Sequence, residues 1–365
     1  MVIDEKTKNY FAHIKQVFLY LSDHCNLLCE QCLYKPNVIW GKNIPLKTAK
    51  ELLQIFRTLG AFKLSILGGE VSLYDCEHQN QDLIDLLSFA HSIGYDYIRI
   101  DTNGQRDAFF RNKAVFQLID EVSFSIDGYD PTTNDRLRGK STFDRSMQNL
   151  HWLQKTTPHV KTNITACVTK QNTALAGGIL LFIENMIRFA AVNKISQLNF
   201  HGVFLMGVPM DVWTGDSHLD PIEWYEAVQN IRQNVAKKKY PVDVRFPIHI
   251  ITKDEFDRAP QYYGYCPCKL GERALIHPDG IIRVCSSLLS TPYGVAHYNA
   301  EQICWNKFNN ELQEHRMDEC TPCTNQKALY TGEYCPVCFS LKPYQDEVVW
   351  KHSQIERLNG ESNGC

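Results

Sequence analysis

The most specific chemistry in the sequence lies in eight residues, Cys25-Asn26-Leu27-Leu28-Cys29-Glu30-Gln31-Cys32. Thiolates separated by three and then two residues can hold three corners of an iron-sulfur cubane and leave the fourth iron open to a small molecule. A fourth ligand would leave a cluster that only stores electrons. The same thiols, completed by His24, also read as a zinc knuckle. Gly68-Gly69-Glu70 follows the next strand-like run: small residues let backbone approach a ligand, and a carboxylate accepts hydrogen bonds from an ammonium group. Thr102-Asn103-Gly104 and Ser125-Ile126-Asp127-Gly128, the second followed by Arg138-Gly139, take the equivalent places after two further runs. Asn-Gly and Asp-Gly are also ordinary turn sequences.

A second group of thiols stands toward the other end: Cys266, Cys268, Cys285, Cys320, Cys323, Cys335, Cys338 and Cys365. Asp279-Gly280 between short β-rich runs predicts a hairpin that brings the Cys268 and Cys285 ends together. The paired Cys320/Cys323 and Cys335/Cys338 spacings suit iron clusters and equally suit a zinc ribbon.

The elements that position these residues alternate in type. Six runs read as strands: Val17 to Ser22, Lys63 to Leu67, Tyr97 to Asp101, Glu121 to Ile126, Asn163 to Val168 and Gln197 to Gly202. Between and after them, Thr48 to Leu59, Asp82 to Ile93, Phe143 to Gln154 and Ile222 to Lys237 carry apolar residues at helical spacing. The apolar run Ala174 to Ile183 predicts a buried helix, being too short to cross a bilayer. Repeated strand-helix units imply an α/β fold with a parallel sheet, in which chemistry gathers in the loops after the strands. From about Tyr262, Gly, Pro and Cys become frequent, and helical periodicity returns only around Trp305 to Glu314. The expected division is a core over 1–240 and a linker with a cysteine-rich module over 241–365, docked on the core.

The 365 residues, with 38 Lys and Arg against 41 Asp and Glu, have a formal net charge of −3, which gives no electrostatic case for nucleic acid or an anionic membrane. The first residues lack the apolar stretch of a signal peptide, so a cytoplasmic protein is expected. Bunched cysteines without an export signal favour ligation over disulfides.

These motifs, in this order, resemble the radical S-adenosylmethionine (SAM) superfamily, whose Cys-x3-Cys-x2-Cys loop follows the first strand of a partial (β/α)6 TIM-like barrel. The resemblance implies a [4Fe-4S] cluster on Cys25, Cys29 and Cys32, and reductive cleavage of SAM to a 5′-deoxyadenosyl radical that abstracts hydrogen from an unactivated carbon. Gly68, Gly69 and Glu70 match the segment contacting the cofactor's amino group, and Ser125 and Arg138 match the part contacting its ribose and carboxylate. Two positions depart from the pattern: Gln31 stands where an aromatic is usual, and Val71 where proline is. The C-terminal region resembles SPASM or twitch modules, implying one or two auxiliary [4Fe-4S] clusters. In one allocation, Cys266, Cys268, Cys285 and Cys338 hold the nearer and Cys320, Cys323, Cys335 and Cys365 the outer cluster. A twitch-like set of Cys268, Cys285, Cys320 and Cys323 also fits.

Relatives with such modules cross-link, oxidise or epimerise peptides, while others act on sugars or aminocyclitols. The expectation is therefore a peptide- or protein-modifying oxidoreductase, with a small natural product as the alternative substrate. Its partners would be a low-potential electron donor such as flavodoxin or ferredoxin. Only 24 residues precede Cys25, so either a separate leader-peptide recognition protein or a small substrate is expected. Cys167, on the fifth strand, is a candidate hydrogen donor, although buried cysteine commonly acts as a small hydrophobe. His201, Asp211, Trp213 and Asp216 can face substrate after the sixth strand, without a motif that requires it.

Overall fold

A computed structural model describes residues 1–32, 41–203, 217–238, 242–246, 248–252, 271–284, 294–306 and 334–338. The six expected strands all form: β2 (Gln16–Ser22), β3 (Lys63–Gly68), β4 (Tyr97–Thr102), β5 (Glu121–Ser125), β6 (Lys161–Val168) and β7 (Gln197–Gly202). They run parallel in sequential order, and β8 (Asp243–Arg245) continues the series beside β7. A short β1 (Val2–Ile3) and helix α1 (Glu5–Tyr10) precede them, and β9 (Ile248–Thr252) follows β8 in sequence.

Helices return the chain between strands: α2 (Leu46–Thr58), α3 (Gln81–Ser92), α4 (Asp107–Arg111), α5 (Lys113–Phe116), α6 (Pro131–Arg138), α7 (Thr142–Thr156), α8 (Lys170–Leu175), α9 (Ile179–Val192) and α10 (Pro221–Lys238). Their burial follows helical spacing. In α2 the buried residues are Ala49, Leu52, Leu53 and Phe56, one stripe turned toward the sheet. In α9 they are Ile179, Phe182, Ile183, Met186, Ile187 and Ala190. These stripes and alternate strand residues, among them Val17, Leu19, Ile164, Ala166, Leu198 and Phe200, form the core.

The predicted helix over Ala174 to Ile183 is instead two helices. Gly177 and Gly178 have φ of +82° and +124°, so α8 ends at Leu175 and α9 starts at Ile179. Trp305, expected to start a helical stretch, closes a strand.

That strand belongs to an antiparallel ribbon, β10 (Arg273–Ile276), β11 (Ile281–Arg283), β12 (Ala296–Tyr298) and β13 (Gln302–Trp305). The Asp279-Gly280 turn joins β10 to β11 as a hairpin, with Leu275 opposite Arg283. The ribbon is continuous with the core sheet, because β10 pairs in parallel with β2. At its far edge β13 pairs with β1, giving twelve strands in one sheet. A separate two-stranded sheet joins β9 to β14 (Tyr334–Cys338). No helix among the described residues is long and apolar enough to cross a membrane.

Candidate active site

The loop after β2 carries Cys25, Cys29 and Cys32, all free thiols, with Cys29 buried and the other two half-buried. What fixes this loop is backbone packing. The Gly69 N–H donates to Ser22 O at 2.6 Å and the Glu70 N–H to His24 O at 2.8 Å. A Cβ on Gly69 would stand 2.2 Å from His24 O, so no other residue fits there without displacing the loop. Gly41, which sequence reasoning passed over, meets the same segment, a Cβ there lying 2.2 Å from His24 N. The close approach expected of the glycines is therefore made first to the chain's own cysteine loop.

Glu70 is buried, and its carboxylate is a clasp. Oε1 accepts from Ser72 N–H at 3.0 Å and Thr102 Oγ1 at 2.7 Å, and Oε2 accepts from Asn103 N–H at 2.7 Å. Asn103 Nδ2 donates to Asn26 Oδ1 at 2.8 Å and approaches Cys25 Sγ at 3.8 Å. The Leu27 N–H donates to the same sulfur at 3.5 Å. The Gly-Gly-Glu and Thr-Asn-Gly motifs thus meet at Cys25.

A second clasp holds the other end of the loop. Asp127 accepts from Gln31 Nε2 and from the Cys167 N–H at 2.6 Å, and its Oδ2 lies 2.6 Å from Arg138 Nε. Arg138 Nη1 is directed at Cys29 Sγ at 3.9 Å. Asp127 is fully buried; burial pushes its carboxyl up from the usual carboxylate value, opposed by the Arg138 charge. Arg138 thus meets both Asp127 and Cys29. Asp127 was the residue missed among the candidates, although it stands inside the motif that contains Ser125. Its polarity in a strand-end sequence was the available signal. Ser125 ends β5 half-buried, and its hydroxyl makes no hydrogen bond among the described residues.

Burial pushes the Cys25 thiol up to about 12, and Glu70, Cys29 and Cys32 oppose its ionisation further. The Cys29 thiol is raised by the same burial, with Arg138 pulling the other way. A bound iron cluster would supply the missing counter-charge, and N–H groups of Leu27, Asn103 and Arg138 face the sulfurs, the kind of contact that tunes a cluster. Among the described residues no three His, Cys, Asp or Glu side chains are placed to share one metal ion. A cubane does not ask that of them, since each thiolate binds a different iron. His24 is exposed. The donor set fits a three-thiolate cluster.

Cys167 lies near the C-terminal end of β6 on the face opposite Ile164, Ala166 and Val168, and Cys29 and Cys32 both contribute to its electrostatic surroundings. Its register partner on β7 is His201. Cys266, Cys268, Cys285, Cys320, Cys323 and Cys365, and Asp211, Trp213 and Asp216, lie outside the described residues. Cys335 and Cys338 belong to β14, opposite Ile251 and Ile248 of β9. Cys304, not a candidate ligand, is a half-buried free thiol in β13.

Residues 19–172 match the family model described as the Radical SAM superfamily, and the chain carries a radical SAM domain. Over 138 residues the chain is 29% identical to GTP 3′,8-cyclase of Haemophilus influenzae (strain PittEE), covering 36% of this chain and 39% of that protein. It spans about two fifths of the length of the GTP 3′,8-cyclases it matches. PqqA peptide cyclase of Rhizobium meliloti (strain 1021) is 24% identical over 375 residues, covering 94% of this chain and 90% of the relative. The crystal structure of Streptococcus suis SuiB bound to precursor peptide SuiA shares the fold with a TM-score of 0.60, at 18% identity, over 81% of this chain and 64% of that one.

Proposed function

We propose that this chain is a radical SAM oxidoreductase that modifies a peptide or protein by cross-linking, oxidation or epimerisation. The observation that carries the reading is the loop of three free thiols held between the Glu70 and Asp127 clasps. When bound, a [4Fe-4S] cluster and SAM supply, on one-electron reduction, a 5′-deoxyadenosyl radical that takes a hydrogen atom from substrate carbon. The chain's own residues do the rest. Cys25, Cys29 and Cys32 hold the cluster, and Asn103 and Arg138 direct N–H groups at two of the sulfurs. By the resemblance, Gly68, Gly69, Glu70, Ser125 and Arg138 would contact SAM. Cys167, whose thiol is kept protonated by burial, is the hydrogen donor if the product is an epimer.

The peptide reading is supported by the similarity to PqqA peptide cyclase, which extends over nearly the whole chain, and by the fold shared with SuiB. Similarity to GTP 3′,8-cyclase favours a second reading, a dehydrogenase or epimerase of a small natural product such as a sugar or aminocyclitol. The C-terminal cysteines would hold one or two auxiliary [4Fe-4S] clusters in a SPASM- or twitch-like module. A flavodoxin or ferredoxin would supply electrons, and a separate protein would present a leader peptide. The six free thiols among the described residues suit the reducing cytoplasm.

Anaerobically reconstituted protein with a strong reductant is expected to convert SAM to 5′-deoxyadenosine, and the Cys25, Cys29 and Cys32 triple alanine variant to make none. Wild-type rates in that variant would overturn the assignment of the loop.

A further inference from the structure

The end of β4 grips the segment after β3 at two places. Thr102 and Asn103 bind the Glu70 carboxylate, and Arg106, a little further along, binds the backbone beyond it. Arg106 Nη1 donates to Ser72 O at 2.8 Å and to Asn80 Oδ1 at 3.2 Å, and its Nη2 donates to Cys76 O at 3.1 Å. Asn80, which is buried, donates from Nδ2 to the same Ser72 carbonyl at 3.0 Å and to Tyr74 O at 2.7 Å. Ser72 is therefore fixed on both sides, its N–H by Glu70 Oε1 and its carbonyl by Arg106 and Asn80.

The segment held in this way is strained. Of the five described non-glycine residues with positive φ, three fall within it: Asp75 at +50°, Gln79 at +57° and Asn80 at +61°. L side chains adopt that conformation at a cost, which contacts from elsewhere must offset. The guanidinium of Arg106 reaches three oxygens of this one segment, a planar fork of donors that an ammonium group cannot reproduce.

The consequence falls on Glu70. A carboxylate has about four acceptor sites. Oε1 takes two donors, the Ser72 N–H and the Thr102 hydroxyl, while Oε2 takes one, the Asn103 N–H. One acceptor site is left, on Oε2. The other three bonds set its direction, and one of them depends on where Ser72 stands.

We infer that Arg106 is a positioning residue for the amino group of SAM: acting through Ser72, it keeps the remaining acceptor site of Glu70 aimed at that ammonium. Asn80, on the same carbonyl, is its second support. The part of Glu70 in binding SAM belongs to the proposed function, and the role of Arg106 rests on it.

The test is equilibrium binding of SAM to anaerobically reconstituted protein, which needs no turnover. Arg106→Met removes all three bonds at similar side-chain length and should weaken SAM binding about tenfold, the equivalent of misdirecting one hydrogen bond to a charged group. Arg106→Lys, which retains the charge and a single point of donation, should give an intermediate loss, and it carries the test if Arg106→Met does not fold. Wild-type affinity in either folded variant overturns the role. Iron content and the electron paramagnetic resonance signal of the reduced cluster without SAM should match those of the wild type. A variant that loses them would make Arg106 a support of the cysteine loop and overturn a role directed at SAM. In a Glu70→Gln background, Arg106→Met should cost little further, because both changes act on one contact; losses that add would place Arg106 outside that chain of contacts. Wild-type protein that holds iron and binds no SAM removes the proposed function itself, and the role of Arg106 with it. Normal binding by the wild type beside unchanged affinity in the variants removes the role of Arg106 alone.

Discussion

Asp127 and Glu70 each hold one end of the cysteine loop, and their substitutions have different expected costs. Glu70→Gln keeps one acceptor oxygen but turns an amide N–H toward donors from Ser72, Thr102 or Asn103. A loss of about 1–3 kcal/mol is expected in urea unfolding, together with weaker SAM binding because Asn103 also secures Asn26. An unchanged unfolding midpoint would separate Glu70 from the clasp. Asp127→Asn instead leaves the Arg138 guanidinium buried without its countercharge, at a cost of about 3–5 kcal/mol. Adding Arg138→Met should recover part of that loss; a double variant less stable than Asp127→Asn alone would contradict the pairing. At this scale the cysteines and Glu70 were legible because few residue types do their chemistry. Asp127 was not, because its role depends on Gln31, Arg138 and Cys167 meeting across 136 residues of chain, a juxtaposition that no local spacing encodes.

Among elements, β7 was read to its end residues, and the other five strands to within one or two, because β-branched and aromatic runs between helical periods leave little ambiguity. The helix break at Gly177-Gly178 was missed because the apolar run continues through it, and backbone φ rather than side-chain pattern decides there. Trp305 was misread since an aromatic residue suits either period; it packs edge-on to Tyr10 at 5.6 Å from its place in β13. The line drawn at residue 240 follows composition, whereas the hydrogen-bonded sheet runs across it through β8 and β10. On β7, burial and Arg99 hold His201 down at about 4 against its usual 6.5. The unfolded chain takes up this proton below about 6.5 while the folded chain refuses it until about 4. Its stabilising contribution is therefore complete above 6.5 and is lost as pH falls through that window. His277, stacked on Tyr20 and depressed by burial, adds a loss of the same sign. His201→Phe should lessen the fall in urea midpoint between pH 7 and pH 5; an identical fall in the variant would count against a neutral buried imidazole.

Over the whole molecule, the first residues are tied to the ribbon. Asp4 caps α1 through the Thr7 N–H at 2.8 Å and accepts from the Trp305 N–H, while Val2 and Ile3 pair with Gln302 and Ile303. Asp4→Ala removes both bonds and is expected to cost about 1–3 kcal/mol by urea unfolding, with β12 and β13 losing hydrogen-exchange protection. Unchanged protection there would show that Asp4 does not couple the two segments. The pairing of β10 with β2 also sets a timetable. During synthesis β2, which leads into the cysteine loop, gains β3 early but must wait for Arg273, about 250 residues after Ser22, before its other edge is covered. At roughly 5–20 residues per second the ribosome leaves that edge open for on the order of tens of seconds. An unpaired strand is a template for other chains. Translation speed and chaperone supply should therefore govern the yield of soluble protein, and iron delivered before the ribbon emerges would meet a loop whose supporting strand is still unfinished.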